Sequence, residues 1–78
     1  MEKRYTYWER QRDDDGEWDF FPTDFSIVLR NHESPLYVWG DIKHEIGGNE
    51  ISPINGGDFE IFCCKKNQVL GQFRLEDC

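Results

Sequence analysis

The stretch from residue 5 to residue 21 constrains the fold more than any other part of the chain. Alternating aromatic and charged residues flank an acidic turn, Asp13 to Gly16. Because an Asp-Gly pair supplies the positive φ angle that tight turns need, the stretch predicts one long β-hairpin. The hairpin is aromatic at its base and acidic at its tip.

Loops of two, three or four residues fit the turn, and the charges favour one register. With Arg12 placed opposite Glu17, Trp8 lies opposite Phe21, and the register sets opposite charges and aromatic rings across from each other. Pro22 is expected to end the second strand, because proline has no backbone N–H to donate.

Composition decides how the core is built. Of the 78 residues, 37 % are hydrophobic and 15 % aromatic. A chain this short buries only roughly 60 % of its unfolded surface, so a few large side chains must carry the packing. The predicted core aromatics are Trp8, Trp18, Phe20, Phe25, Trp39, Phe59 and Phe73.

Further strands follow from β-rich segments between turn residues. Residues 41–46 fit two structures, a continued strand or one helical turn that begins at Asp41 and ends at Gly47. In the last strand, Val69, Phe73 and Leu75 are expected to face inward. The predicted strands after the hairpin span residues 25–30, 36–39, 59–63 and 69–75.

Together these segments predict a mostly β fold. We expect a single small domain over residues 1–78, an antiparallel sheet or partly closed barrel of about five strands. The short helical turn near residues 41–46 is the one helical element under consideration.

The charge of the chain is unevenly placed. The net charge is −7, and residues 13–60 hold twelve acidic and two basic side chains. Such an acidic surface repels nucleic acids and anionic membranes and attracts basic protein surfaces. We therefore expect no direct nucleic-acid partner and no membrane. If the two ends of the chain are neighbours in the sheet, their basic residues form a local patch.

The cysteines indicate the redox setting. Cys63, Cys64 and Cys78 make an odd count with an adjacent pair, which is typical of a reducing compartment. No apolar run follows the N-terminus as in a secretory signal. No stretch approaches the roughly 20 apolar residues of a membrane helix. The expected location is the cytoplasm.

No complete motif for a metal, a cofactor or catalysis is present. Gly16 follows Asp13 by three residues, which is too soon for a calcium loop. Cys63 and Cys64 are adjacent, so on a strand they point to opposite faces and do not form a zinc pair. Ser34 has no nucleophile-elbow context. We expect neither an enzyme nor a bound cofactor.

Two functions remain. The first is an acidic inhibitor or decoy, of the phage or mobile-element kind, that docks carboxylates on a basic, nucleic-acid-handling protein. The second is an interaction or subunit domain that uses exposed aromatics, with homodimers formed through edge strands. The predicted partner-binding residues are Asp13, Asp14, Asp15, Glu17, Asp19, Asp24, Asp41, Glu45, Asp58, Glu60, Trp8 and Trp39.

Overall fold

Within residues 2–76, which a computed structural model describes, five antiparallel strands form one open sheet in the order β2-β1-β5-β4-β3. The mostly β prediction is confirmed, and the sheet does not close into a barrel. One α-helix, α1, lies between β2 and β3 in the described part of the chain. The elements are β1 (Glu2–Arg12), β2 (Trp18–Arg30), α1 (Trp39–Ile46), β3 (Glu50–Pro53), β4 (Phe59–Cys63) and β5 (Gln68–Glu76).

The hairpin exists, but its register differs by one residue from the predicted one. Arg12 pairs with Trp18 rather than Glu17, and Trp8 pairs with Pro22. The turn explains the difference, because the backbone N–H of Asp13 donates to the carbonyl of Glu17 at 2.8 Å. The loop therefore holds three residues, with Gly16 in the left-handed region at φ 82°, a common hairpin geometry.

Strand β2 continues through Pro22 to Arg30, so the two strands predicted over residues 17–21 and 25–30 are one. The expectation that Pro22 ends the strand is wrong. Because β2 lies at the edge of the sheet, a residue without a backbone N–H is tolerated there.

A bulge divides β2 near its middle. Between the pairs Thr6–Ser26 and Trp8–Pro22, β1 advances two residues and β2 four. The Thr23 hydroxyl donates to the Tyr7 carbonyl at 2.8 Å and accepts the Phe25 N–H at 3.1 Å. These two bonds hold the extra residues of the bulge.

The segment after β2 is helical, and the strand predicted over residues 36–39 is wrong. A 3₁₀ helix spans Pro35–Val38 and leads directly into α1. Proline is favoured in the first helical turn, where its missing N–H has no partner to lose. Apolar side chains recur at helical spacing and pack against the core: Val38, Trp39, Ile42 and Ile46.

Of the two structures that fit residues 41–46, the helix is the one found. Gly47 ends α1 in the left-handed conformation at φ 78°, as predicted. The residue before the first helical turn is Val38 rather than Asp41, because the helix begins earlier than the sequence suggested.

The core lies between one face of the sheet and α1. Tyr5 and Tyr7 point into it from β1, and their rings pack against Phe59 and Phe73 with centroids 5.9 and 5.3 Å apart. Since side chains alternate along a strand, Trp8 faces the other way. Phe25, Trp39, Phe59 and Phe73 lie in or against the core as predicted, whereas Trp8, Trp18 and Phe20 lie on the outer face.

Strands β4 and β5 agree with the prediction except at one bulge. Phe59, Ile61 and Cys63 are buried on one face. A register shift after Ile61 places Val69 opposite the outward Phe62, so its predicted inward orientation is wrong.

Leu75 lies on the core face opposite Tyr5, as predicted, although it is 39 % exposed at the end of β5. Short strand β3 lies where the sequence pattern predicts no strand. Among residues 2–76, no helix is long and apolar enough to cross a membrane.

Two glycines allow a matched test of this packing. A Cβ atom on Gly71 would lie 2.6 Å from the Tyr7 hydroxyl oxygen and would clash with the Trp8 carbonyl. We expect Gly71→Ala to lower the free energy of unfolding by about 1–3 kcal/mol in urea denaturation. Gly40, in α1, has open space around its Cα atom, so Gly40→Ala should raise the free energy of unfolding by about 0.5–1 kcal/mol. Equal effects at both positions would contradict this packing.

The buried Tyr7 predicts an alkaline limit to stability. Burial, and to a smaller degree the Glu9 carboxylate, raises the pKa of Tyr7 from 10.0 to about 12. Below pH 10 the phenol is neutral in both folded and unfolded chains. Between about pH 10 and 12 it ionises only in the unfolded chain, so stability falls on the order of 2 kcal/mol across that window.

Tyr7→Phe should remove that part of the alkaline loss, measured as urea midpoints at about pH 9 and about pH 11. Tyr37→Phe is the control, because Tyr37 is 76 % exposed. The same pH dependence in wild type and in Tyr7→Phe would contradict the assignment to Tyr7.

Candidate functional site

The hairpin formed by β1 and β2 extends beyond the point where β1 stops pairing with β5. The β1–β5 pairing ends at Glu9 and Gly71, whereas β1 and β2 stay paired as far as Arg12 and Trp18. Residues 10–20, here called the hairpin arm, therefore form a two-stranded ribbon at one end of the molecule, whose longest dimension is 40 Å. An arm of this kind presents both of its faces and its tip to a partner.

Asp13 fixes the conformation of the turn at the tip of the arm. Asp13 Oδ1 accepts the backbone N–H groups of Asp15 and Glu17, each at 2.9 Å. The Arg12 guanidinium donates to the Gly16 carbonyl at 3.0 Å. Asp13 thus acts as the structural residue of the turn, an arrangement typical of Asp in tight turns.

Four further carboxylates of the arm are exposed around this turn. Asp14, Asp15 and Glu17 surround the tip, and Asp19 follows on β2. Asp19 Oδ1 accepts a local bond from the Phe20 N–H at 2.8 Å. The structure therefore brings these predicted site residues together at one end of the molecule, where they present negative charge to solvent.

The two faces of the arm carry opposite charge. Asp19 pairs with Gln11 and lies on the same face as Glu9, which is the face that α1 covers further along the sheet. Glu9 and Glu45 of α1 line one cleft. Arg10 and Arg12 lie on the opposite face, because alternate residues of a strand point to opposite sides.

The outer face of the sheet holds stacked arginine and aromatic side chains. The guanidinium carbons of Arg10 and Arg12 lie 4.3 and 4.6 Å from the Trp18 ring centroid. Arg74 of β5 lies 4.2 Å from the Trp8 ring and 5.5 Å from the Phe20 ring. Distances within about 6 Å are those of cation–π contacts. We call this set the outer-face cluster: Trp8, Arg10, Arg12, Trp18, Phe20 and Arg74.

The remaining predicted site residues do not join the tip. Asp24 lies exposed at the bulge in β2, and Asp41 and Glu45 lie exposed on α1. Asp58 is partly buried and accepts the Leu75 N–H at 2.9 Å, which gives it a structural role. Trp39 packs against the core rather than facing solvent.

Glu60 lies on the outer face of the sheet, on the strand next to the one that carries Arg74. It pairs with Gln72 of β5 and Ser52 of β3. Its position is on the β4 side of the sheet, away from the arm.

The cysteines occupy opposite faces of β4, as the sequence predicts. Cys63 is buried and Cys64 is exposed. Local desolvation and the Glu50 carboxylate, 3.5 Å from the Cys64 sulfur, raise the pKa of Cys64. Among residues 2–76, no three His, Cys, Asp or Glu side chains are placed to hold a metal ion. Cys78 lies outside the described residues.

Comparisons with known proteins give no relative to reason from. No family model, no curated protein and no solved structure matches the chain.

Sequence reasoning did not identify the outer-face cluster as a unit. The sequence pattern predicts Trp8 as a partner-binding residue. It places the three arginines only among the basic residues near the chain ends. The signal that finds them is the alternation of Trp8, Arg10 and Arg12 along one strand. Arg74 joins them only through the pairing of β1 with β5, which the sequence does not specify.

The tip geometry makes a direct prediction about Asp13. Asp13→Ala removes the acceptor of two backbone N–H groups, so we expect the free energy of unfolding to fall by about 1 kcal/mol in urea denaturation. Asp13→Asn keeps a side-chain oxygen and should restore most of that loss. Asp14→Ala is the neighbouring control. A stability loss from Asp14→Ala equal to that from Asp13→Ala would show that the loss comes from charge rather than from the turn.

Proposed function

We propose that this protein is a small acidic binding module without catalytic activity, an inhibitor or decoy that docks on a basic surface of a nucleic-acid-handling protein. The observation that carries the proposal is the arm itself. It holds Asp14, Asp15, Glu17 and Asp19 exposed around a turn that Asp13 fixes.

Electrostatics supports the tip as the leading contact. Residues 14–19 carry four exposed carboxylates within six positions, a dense negative charge like that of a nucleic-acid backbone, of which a duplex carries one charge per roughly 1.7 Å of axis. Arg10 lies on the outer face of the arm, where it contacts Trp18 rather than the carboxylates. A concentrated negative end also steers association with a basic partner, at a rate that falls with salt.

The proposed setting is the cytoplasm of a host cell, as for inhibitors carried by phages and mobile elements. Cys63 and Cys64 are free thiols, which supports a reducing compartment. The net charge of −7 supports a basic protein as the partner.

The tip can be tested by removing its charge without changing its turn. The combined variant Asp14→Asn, Asp15→Asn and Glu17→Gln leaves Asp13 in place. A partner is first captured from nuclease-treated host lysate, identified by mass spectrometry and purified. We expect the variant to bind it about tenfold more weakly than wild type at about 50 mM salt, and the difference to shrink at about 200 mM.

Glu2→Gln with Glu76→Gln is the control, because both residues are exposed at the other end of the sheet. Wild type should also compete with nucleic acid for the captured protein. Unchanged affinity in the tip variant at low salt, or a captured protein whose nucleic-acid binding is unaffected, would contradict the proposal.

A further inference from the structure

The outer-face cluster concentrates positive charge on a protein that is acidic overall. Its three arginines and three aromatics come from β1, β2 and β5, and within residues 2–76 they contact one another rather than a carboxylate. The face points away from α1 and the core, and Trp18 is 48 % exposed. From this arrangement we propose that the outer-face cluster binds single-stranded nucleic acid.

The register builds a repeated surface for such a ligand. Successive cross-strand pairs on this face are Trp8 with Pro22, Arg10 with Phe20, and Arg12 with Trp18. Neighbouring pairs lie two residues apart, about 6.7 Å along the strands. The Trp18 ring lies beside the guanidiniums of Arg10 and Arg12, and the Phe20 ring lies beside that of Arg74.

This surface suits both parts of a nucleotide. Unstacked bases pack on aromatic rings and on guanidinium planes, and arginine pairs with phosphate. Arg74 adds a third cation beside Trp8. Its Nε donates a hydrogen bond to the Gln72 side chain at 3.1 Å, and this bond orients the guanidinium. The cluster therefore combines stacking with phosphate neutralisation.

The chemistry favours a single strand over the other occupants. In a duplex the base faces are already stacked, so exposed rings have nothing to pack on. An acidic protein would pair with the arginines but would leave the ring faces unused. The carboxylates of the tip set the path, because a strand running from Trp18 toward Arg74 moves away from Asp14 and Asp15.

The site is separate from the tip and does not rest on the function proposed above. Failure of one surface leaves the other intact, since the substitutions that test them do not overlap.

The test uses the full chain and a labelled oligothymidine or oligouridine of about ten nucleotides, within the range that small sheet domains cover. Binding is read by anisotropy and by quenching of tryptophan fluorescence, because stacking on Trp18 changes its emission. The slope of log affinity against log salt should be about −2, since three arginines contribute roughly 0.7 each with single strands.

Two variants test the cluster against one control. Trp18→Ala should weaken binding about tenfold, as expected for loss of one stacked base. Arg10→Gln with Arg12→Gln should weaken binding and bring the salt slope to about −0.7, the contribution of the remaining Arg74. Lys43→Gln with Lys65→Gln removes the same charge outside the cluster and should leave the slope at that of wild type. The tip variant should bind the oligonucleotide at least as well as wild type.

Several results would overturn the proposal. These are no binding or quenching at about 50 mM salt, equal affinity for a duplex of the same length, or an equal loss in the lysine control. Binding of polyglutamate as tight as that of the oligonucleotide would assign the face to an acidic protein. Sedimentation showing self-association that Trp18→Ala abolishes would assign it to a second copy of the chain.

Discussion

The register of the β1–β2 hairpin is the constraint on which both candidate surfaces depend. Asp13 fixes it by accepting two N–H groups across a three-residue loop. A slip of one residue would send each side chain of the slipped strand to the opposite face of the sheet. Tyr5 and Tyr7 would then leave the core, and Arg10 would join the acidic side. By fixing the register, Asp13 therefore determines which side chains of the hairpin face the core and which face the arginines occupy.

The position of β1 inside the sheet also determines the core and the outer-face cluster. It pairs with β2 on one side and with β5 on the other, so the first and last strands become neighbours. This pairing places Arg74 over Trp8, and places Phe73 against Tyr7 on the opposite face. The same ladder that closes the core thus completes the outer-face cluster. A substitution such as Gly71→Ala, which disturbs that ladder, is expected to affect both.

Local patterns predicted the parts of the fold that local interactions determine. The hairpin, the strand over residues 59–63 and the left-handed Gly47 all follow from short-range spacing and turn chemistry. The register was missed because loops of two, three and four residues all suit Asp-Gly, and only backbone geometry distinguishes them. The β-rich composition of residues 36–39 predicts a strand, whereas packing of Trp39 and Ile42 on the core favours the helix that the structure shows. The acidic tip was visible as a run of residues, whereas the outer-face cluster needs three strands.

Net charge is a poor guide to a protein built from a ribbon with two faces. Side chains on opposite sides of the arm are separated by the backbone, and each side presents its own local charge to a partner. Screening weakens the effect of distant carboxylates, because at physiological salt charges act over about 8 Å, far less than the 40 Å length of the molecule. A ligand at Arg10 and Arg12 is therefore governed by those guanidiniums more than by carboxylates at the far side of the molecule. The tip lies closest to the cluster. Its carboxylates therefore restrict the direction in which a single-stranded nucleic acid can run, but they do not prevent the nucleic acid from binding.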